Sequence, residues 1–344
     1  MGQVLGTGLG VVYVARKESR DAVGDILASD DFDRSDGSMG TTPIGGYTWT
    51  GAGAVSGNAC VITPEYGESL VEGDTDNGNM ETGDPPTDWP AVNGAITSSV
   101  ADERTGGSGS KSLHALRGTA DVTANNNASL TSNTWYSLDG WIKAISETNA
   151  SFYITGITGI LSYRLQSAEP TWEHQCLAGI SNVTGSAYIR PVVRGSGTQE
   201  ARFDDIRLRP ITTSTMFAGM ELPYQNVDAR IGITTPTNTS CPAGLFIAGD
   251  AANPTNGVIA FRTTSNIFVN QVIAGEHTNK INVAKTYSAG ATLRLVKAGD
   301  TYSVYYGAAF VGSTEITGME GKYCGIFSTD AGNVLDNWQV IRNG

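Results

Sequence analysis

Short stretches in which apolar and polar residues alternate, each cut off by a glycine-rich turn, run through most of the chain. Ser151 to Thr155, Ala187 to Val193, Ala291 to Val296 and Tyr302 to Tyr306 carry the period of two that sets one strand face on a core and the other toward water. Between such stretches lie Gly106-Gly107-Ser108-Gly109, Gly195-Ser196-Gly197 and Ala298-Gly299-Asp300, residue types that tolerate tight reversals. Composition points the same way: 43 of 344 residues are glycine, 16% are charged, and long runs rich in Leu, Glu, Lys and Ala are absent. Such punctuation predicts many short strands packed as sandwiches and argues against a helical bundle or a parallel α/β sheet. The length suffices for two domains, each with its own core.

A formal net charge of −12 makes phosphate-rich partners unfavourable, so neither nucleic acid nor an anionic membrane is expected to bind. No apolar run approaches the roughly 20 residues needed to span a bilayer. Met1 to Val14 lacks the basic start and cleavage site of a secretory signal, and Gly6 stands where a myristoylation motif wants Ser or Thr. The opening 29 residues differ from the rest. Val11 to Val14 reads as a strand and Arg16 to Leu27 as one short helix, so residues 1–29 are expected to form a docking or oligomerisation arm; a frayed terminus is the alternative.

Phe203-Asp204-Asp205-Ile206-Arg207-Leu208 is echoed by Leu335-Asp336-Asn337-Trp338-Gln339-Val340. Each ends a series of strand-like stretches, and two closing strands imply two sandwiches.

The segment Asp30 to Ile62, with Asp31-Phe32-Asp33-Arg34, a Trp strand at Trp49 and the Ser56-Gly57-Asn58 turn, resembles the opening of concanavalin-like and laminin-G-like jelly rolls. Asp228 to Ile233, Ala243 to Phe246, Thr292 to Leu295, Tyr302 to Tyr305 and the strand at Trp338 resemble the remainder of that domain. Between the two pieces, Ser69 to Asp84, Gly109 to Leu113, Tyr136 to Trp141, Trp172 and Phe203 to Leu208 resemble the galactose-binding-like jelly rolls that include carbohydrate-binding modules of families four and nine. Asp33 stands where the first family usually has Asn, and Met80 where the second usually has Phe. The resemblance implies an all-β chain of two jelly-roll β-sandwiches plus the arm: residues 30–64 and 213–344 in one, residues 65–212 inserted in it. Insertion is cheap because a jelly roll's termini lie close together at the surface. The alternative is a linear chain with 30–62 as a strand lead-in.

The inserted module's family places a structural calcium ion between its first and last strands, which here implies Glu81 and Asp205 as ligands with Asp204 beside them. The other reading has these acids capping turns or facing solvent. A sugar presents an apolar face edged by hydroxyls, so its site wants exposed aromatics beside polar groups. Of six tryptophans, Trp49, Trp141, Trp172 and Trp338 fall where these families carry core aromatics. Trp89, in a proline-rich loop, and Trp135, after Asn133 and Thr134, are the freer candidates for glycan contacts, with Tyr66, Tyr224, Tyr305 and Tyr306 able to extend a platform.

Catalysis finds little footing. Glu315 and Glu320 have the outer spacing of a glycoside-hydrolase E-x-D-x-x-E motif, but Thr317 replaces its Asp and Gly318 suggests a turn. A retaining hydrolase wants two carboxyls roughly 5–5.5 Å apart. His114, His174 and His277 form no metal-spaced pair and read as surface or strand polar residues. Cys60, Cys176, Cys241 and Cys324 lack CxxC spacing, which argues against zinc; buried free thiols are one reading, and a disulfide among Cys60, Cys241 and Cys324 the other if the protein matures outside the cytosol.

These readings lead to two functional expectations. One is a non-catalytic virion protein of a tailed phage (decoration, fibre or adaptor), docked to other virion proteins through its arm, homo-oligomeric, and adhering to cell-surface glycans. The other is a secreted bacterial carbohydrate-binding adhesin or a module of a larger polysaccharide-active protein.

Overall fold

The computed structural model describes residues 22–71, 89–93, 95–99, 104, 111–118, 120–145, 148–158, 165–167, 171–195, 197, 199–236 and 239–344. Apart from a 3-10 turn at Thr213–Thr215, the regular elements among them are β-strands in four sheets. The chain is all-β, as its alternation predicts. None of its described helices is long and apolar enough to cross a membrane.

Sheet 1 runs Leu165–Ser167, Thr148–Ile154, Gly185–Arg194, Val122–Ala124, Ala91–Asn93, with Asn126–Leu130 also on Gly185–Arg194. Sheet 2 runs Ile157–Thr158, Glu173–Ser181, Trp135–Ala144, Gln199–Pro210, Ser112–Arg117, Ala95–Ser99. Sheet 3 runs Glu276–Ala284, Asn266–Ile273, Gly257–Arg262, Ala243–Gly249, Tyr323–Ser328, Phe217–Glu221, Thr50–Gly51. Sheet 4 runs Gly37–Ser38, Ala54–Val55, Cys60–Val61, Val334–Arg342, Val227–Thr234, Thr292–Ala298, Thr301–Tyr306, Ala309–Glu315, with Ile26–Asp30 also pairing on Val334–Arg342. Residues before 62 and after 216 thus share sheets 3 and 4, and residues 91–210 form sheets 1 and 2, to which Thr239–Ser240 adds one short parallel strand on Glu173–Ser181. The chain crosses between them on adjacent segments: the Thr212 N–H donates to the Glu65 carbonyl at 2.9 Å and the Gly67 N–H to the Pro210 carbonyl at 2.8 Å.

Three apolar cores lie between these sheets. Phe152, Ile189, Leu138 and Phe203 join sheets 1 and 2; Leu245, Ala260, Ile231 and Trp338 join sheets 3 and 4. A third core, with Trp135, Ala178 and Ile180 on one side and Phe217, Phe246, Phe261 and Phe327 on the other, joins sheets 2 and 3. Both middle sheets are therefore covered on two faces. This explains why Ala243–Gly249 and residues 257–261 are continuous apolar runs, buried at every position, where an edge sheet would alternate.

Residues 1–21 of the expected arm lie outside the described residues. Its end does not fit the helix expected to Leu27: Ile26–Asp30 is a strand, and Leu27 and Ala28 are buried in the core between sheets 3 and 4. The Ile-Leu-Ala run gains more by completing the edge of Val334–Arg342 than an isolated short helix could supply.

The two echoing motifs adopt one local structure. Asp205 and Asn337 both have positive φ, 48° and 54°, and each N–H donates to the preceding side chain, Asp204 Oδ1 at 2.9 Å and Asp336 Oδ1 at 2.6 Å. Each forms a bulge where the pairing register slips, Asp205 opposite Gly140 and Asn337 opposite Ile231. Asp and Asn tolerate the left-handed region because the short polar side chain bonds locally. The bulge then turns Ile206 or Trp338 into its core, both essentially unexposed.

Candidate functional site

At the seam, the hairpin Asn266–Ile273 and Glu276–Ala284 of sheet 3 abuts the end of Glu173–Ser181 in sheet 2, leaving a cleft of about 210 Å³. Its floor is Phe261 and Phe268, cross-strand partners whose rings stack with centroids 5.0 Å apart. Its walls carry four side-chain amides. Asn270 and Asn279 pair across the hairpin, with Asn279 Nδ2 donating to Asn270 Oδ1 at 2.9 Å and to the Ile281 carbonyl at 2.9 Å. Asn133, in a turn at φ 57°, donates its N–H across to the Ser181 carbonyl, and its Oδ1 accepts the backbone N–H of His277 at 3.3 Å. Asn182 stands exposed at the rim.

His277 completes the cleft. Its ring meets the edge of Trp135 at a centroid distance of 5.6 Å, and burial among apolar groups pushes its imidazole down to about 4. It is therefore neutral at pH 7, and its Nδ1 has no hydrogen-bond partner among the described residues. Asn133, Ile180, Ser181, Asn182, Phe261, Phe268, Asn270, His277 and Asn279 include no charged side chain at that pH. A cleft so lined offers neutral donors and acceptors above an aromatic floor. That chemistry suits a neutral polyhydroxyl ring and rejects a bare ion.

A second cavity, about 420 Å³ and more open, lies on the outer face of sheet 4 beside Asp30, Asp31, Ile44, Arg230 and Asn337. Its charged groups already have partners. Asp30 is fully buried and accepts from the Phe32 N–H at 2.9 Å, Arg34 Nη1 at 2.6 Å and Nη2 at 3.0 Å, and Trp49 Nε1 at 2.9 Å. Arg230 pairs with Asp228 at 2.6 Å. The opening Asp-Asp-Phe-Asp-Arg motif and Trp49 thus serve a structural hub.

The sequence-predicted aromatics fall differently from expectation. Trp89 is 0% exposed in the core of sheets 1 and 2, and Trp135 is 1% exposed in the seam core, so neither forms an exposed platform. The polar residues flanking Trp135 do mark a surface turn, but its own side chain points inward because sheet 3 covers that face. Tyr66 is half-buried beneath the Arg209 guanidinium, 4.4 Å from its ring, with its hydroxyl donating to the Thr329 carbonyl at 3.2 Å. Trp49 and Trp338 are core residues, 4.7 Å apart, as expected, whereas Trp141 and Trp172 are half-buried. Tyr224 lies under Arg342, Tyr305 under Arg294, and Tyr306 is buried; they form no platform with Tyr66.

Of the expected calcium ligands, Glu81 lies outside the described residues. Asp204 and Asp205 are buried against the Arg104 guanidinium, which pairs with Asp204 at 3.4 Å and also with Asp205. With a cation already between them, these two acids do not fit a calcium ion as well. Glu315 ends the strand Ala309–Glu315 and Glu320 follows a turn, both exposed. His114 pairs with Glu200 at 2.9 Å and His174 lies 3.5 Å from Asp139.

All four thiols are buried and free, as one of the two readings expected, and the grouping of Cys60, Cys241 and Cys324 in the other reading is not found. Cys241 meets Cys176, at an Sγ–Sγ distance of 2.7 Å, and neither Cys60 nor Cys324 lies with them: both belong to the core of sheets 3 and 4. Cys176 and Cys241 come together because Thr239–Ser240 pairs in parallel with Cys176 and Leu177 across the seam. The cleft residues His277, Asn270 and Asn279 carry no sequence signal of their own; only Asn133 stood out, as a neighbour of Trp135.

Fold and cleft define an all-β protein of stacked antiparallel sandwiches with a neutral, ring-sized site at their seam. No protein-family model matches the chain, and no curated protein matches it. Among solved structures, a mutant of the GH43 protein BlXynB from Bacillus licheniformis overlaps at 17% identity and TM-score 0.30, over 37% of this chain and 29% of that one. This chain thus spans less than a third of that protein. Sheep galectin-11 in complex with glycerol overlaps at 10% identity and TM-score 0.30, over 36% of this chain and 94% of its own. The carbohydrate-binding module CBM66 from Bacillus subtilis overlaps at 10% identity and TM-score 0.22, over 75% and 93%. With scores this low, the fold assignment rests on the sheets themselves.

Proposed function

We propose that the protein is a non-catalytic glycan-binding protein whose site is the seam cleft. The observation that carries this reading is the lining: stacked Phe261 and Phe268 below, side-chain amides and a neutral His277 around, and no charge. At about 210 Å³ the cleft is below the roughly 300–1,000 Å³ of sites for drug-sized ligands, so it holds one neutral sugar ring, as the end or a branch of a longer glycan. Asn182 and Asn133 line its rim and Asn270 its wall, where sugar hydroxyls need paired donors and acceptors.

The setting proposed for this binding is the surface of a tailed-phage particle, with the N-terminal residues as the attachment point. The acidic charge and β-only composition support that setting. A secreted carbohydrate-binding module is the second reading, favoured by the Cys176–Cys241 pair, which suits an oxidising compartment.

A glycan array probed with the full chain, followed by titration calorimetry on the best binder, tests the proposal. Neutral sugars should bind, and Asn270→Ala and Asn182→Ala should each weaken binding about tenfold, one lost hydrogen-bond pair being worth about 1.4 kcal/mol. Binding confined to charged glycans, or unchanged in both folded variants, would place the site elsewhere.

A further inference from the structure

The seam core contains one pair of reactive groups that sugar binding does not use. Cys176 is 3% exposed and Cys241 1% exposed, and their sulfurs lie 2.7 Å apart. A disulfide bond is about 2.05 Å, so the sulfurs need to approach by only roughly 0.7 Å. The remaining thiols cannot compete, because Cys60 and Cys324 are buried in a different core on the far side of sheet 3. We propose that Cys176 and Cys241 form a disulfide that fastens the inserted sandwich to the outer one in an oxidising environment.

The chemistry is thiol–disulfide exchange with a small disulfide such as oxidised glutathione. One cysteine sulfur attacks the glutathione disulfide, whose S–S bond breaks and releases one glutathione thiolate. The second cysteine sulfur then attacks the mixed disulfide and expels the other. The two thiol protons leave with the two glutathione molecules; the protein loses two electrons and glutathione gains them. Both thiols are held above their ordinary range. For Cys176, burial and the carboxylate of Asp330, whose Oδ2 lies 3.6 Å away, outweigh the hydrogen bond from Cys241; for Cys241, burial dominates. Exchange in the closed protein is accordingly slow, and the bond forms as the seam closes during folding.

A metal is the competing use of this cluster, since one ligand atom from each of Cys176, Cys241 and Asp330 lies within 4.8 Å of the others. Tetrahedral zinc with Zn–S bonds of about 2.3 Å holds its sulfurs roughly 3.8 Å apart. The observed 2.7 Å is too close for both to ligate one ion and favours the covalent bond.

The full chain is made by cell-free synthesis in glutathione buffers poised oxidising or reducing, so that bond formation need not wait for the closed protein to open. The folded fraction is isolated, unfolded in guanidinium without reductant, alkylated and weighed. Two of the four cysteines should take the label after oxidising synthesis and all four after reducing synthesis, with a cross-linked peptide pair joining Cys176 to Cys241. Oxidised protein should also melt several degrees above reduced protein, as the bond closes a loop between residues 65 positions apart. Four labelled cysteines after oxidising synthesis, a link to Cys60 or Cys324, or a zinc ion retained in native mass spectrometry would each overturn the proposal. Cys324→Ser supplies the control: it should leave the linked pair intact and lower the reduced count by one.

Discussion

Replacing Asp30 by alanine should be among the most damaging single changes to the outer sandwich. The carboxylate is fully buried and accepts from four donors: the Phe32 N–H, both terminal nitrogens of Arg34, and Trp49 Nε1. Alanine leaves the Phe32 N–H and the Trp49 indole without their acceptor, and each buried orphan costs about 1–3 kcal/mol. Arg34 loses less, because its side chain is 29% exposed and can turn to water, adding about 1 kcal/mol. The sum is about 3–7 kcal/mol. Urea unfolding followed by tryptophan fluorescence reads it, since Trp49 and Trp338 lie 4.7 Å apart in that core. Arg34→Ala leaves the buried carboxylate without its counter-charge and should also cost about 3–5 kcal/mol. A loss below about 1 kcal/mol for Asp30→Ala would refute the view of Asp30 as the hub of this motif.

His277 should make stability fall in acid. Because burial holds it at about 4 against an ordinary 6.5, the unfolded chain takes up a proton between those pH values that the folded chain refuses. Stability should therefore drop by about 3 kcal/mol as pH falls through that window, and His277→Gln should remove that part of the slope in melts at pH 7, 5.5 and 4. Gly140→Ala should destabilise more than Gly232→Ala: an added Cβ at 140 would lie 2.7 Å from the buried Phe152 ring, whereas at 232 the nearest atom is the Asp336 carbonyl oxygen at 3.2 Å. A difference of about 1–3 kcal/mol in urea melts is expected. Chelator should leave the melting temperature unchanged, while Arg104→Ala should lower it, because that side chain neutralises Asp204 and Asp205.

The β architecture is legible because alternation and glycine punctuation act locally. The echo of Phe203–Leu208 in Leu335–Val340 is legible for the same reason: Asp205 and Asn337 answer one local need, a left-handed residue at a bulge. What escapes is whatever depends on stacking. The uninterrupted apolar runs at Ala243–Gly249 and residues 257–261 are the trace of a sheet covered on both faces, but nothing in them says what covers the second face. Trp135 looked free beside Asn133 and Thr134, yet its ring is shut in by Phe261 and Phe327, far along the chain. Cys176 could not be matched to Cys241 for the same reason. The cleft joins residues near 133, 181 and 270, which no spacing rule connects.

The stacking has a consequence for binding. An inserted domain held only by its two crossing segments would be expected to move against its host. Here Phe217 packs on Phe246 and Phe327, at centroid distances of 5.7 and 5.3 Å, and the core they share with Trp135 fills the space between sheets 2 and 3. The cleft takes Asn133 and Asn182 from one sandwich and Asn270, His277 and Asn279 from the other, so its geometry is only as good as that seam. Phe217→Ala, about 3–5 kcal/mol of lost packing at a residue that lines no part of the cleft, should therefore weaken sugar binding in titration calorimetry by loosening the two halves of the site. Circular dichroism at the titration temperature establishes that the variant is folded. Undiminished affinity in that folded variant would mean that one sandwich alone holds the ligand, and that the seam merely stores it nearby.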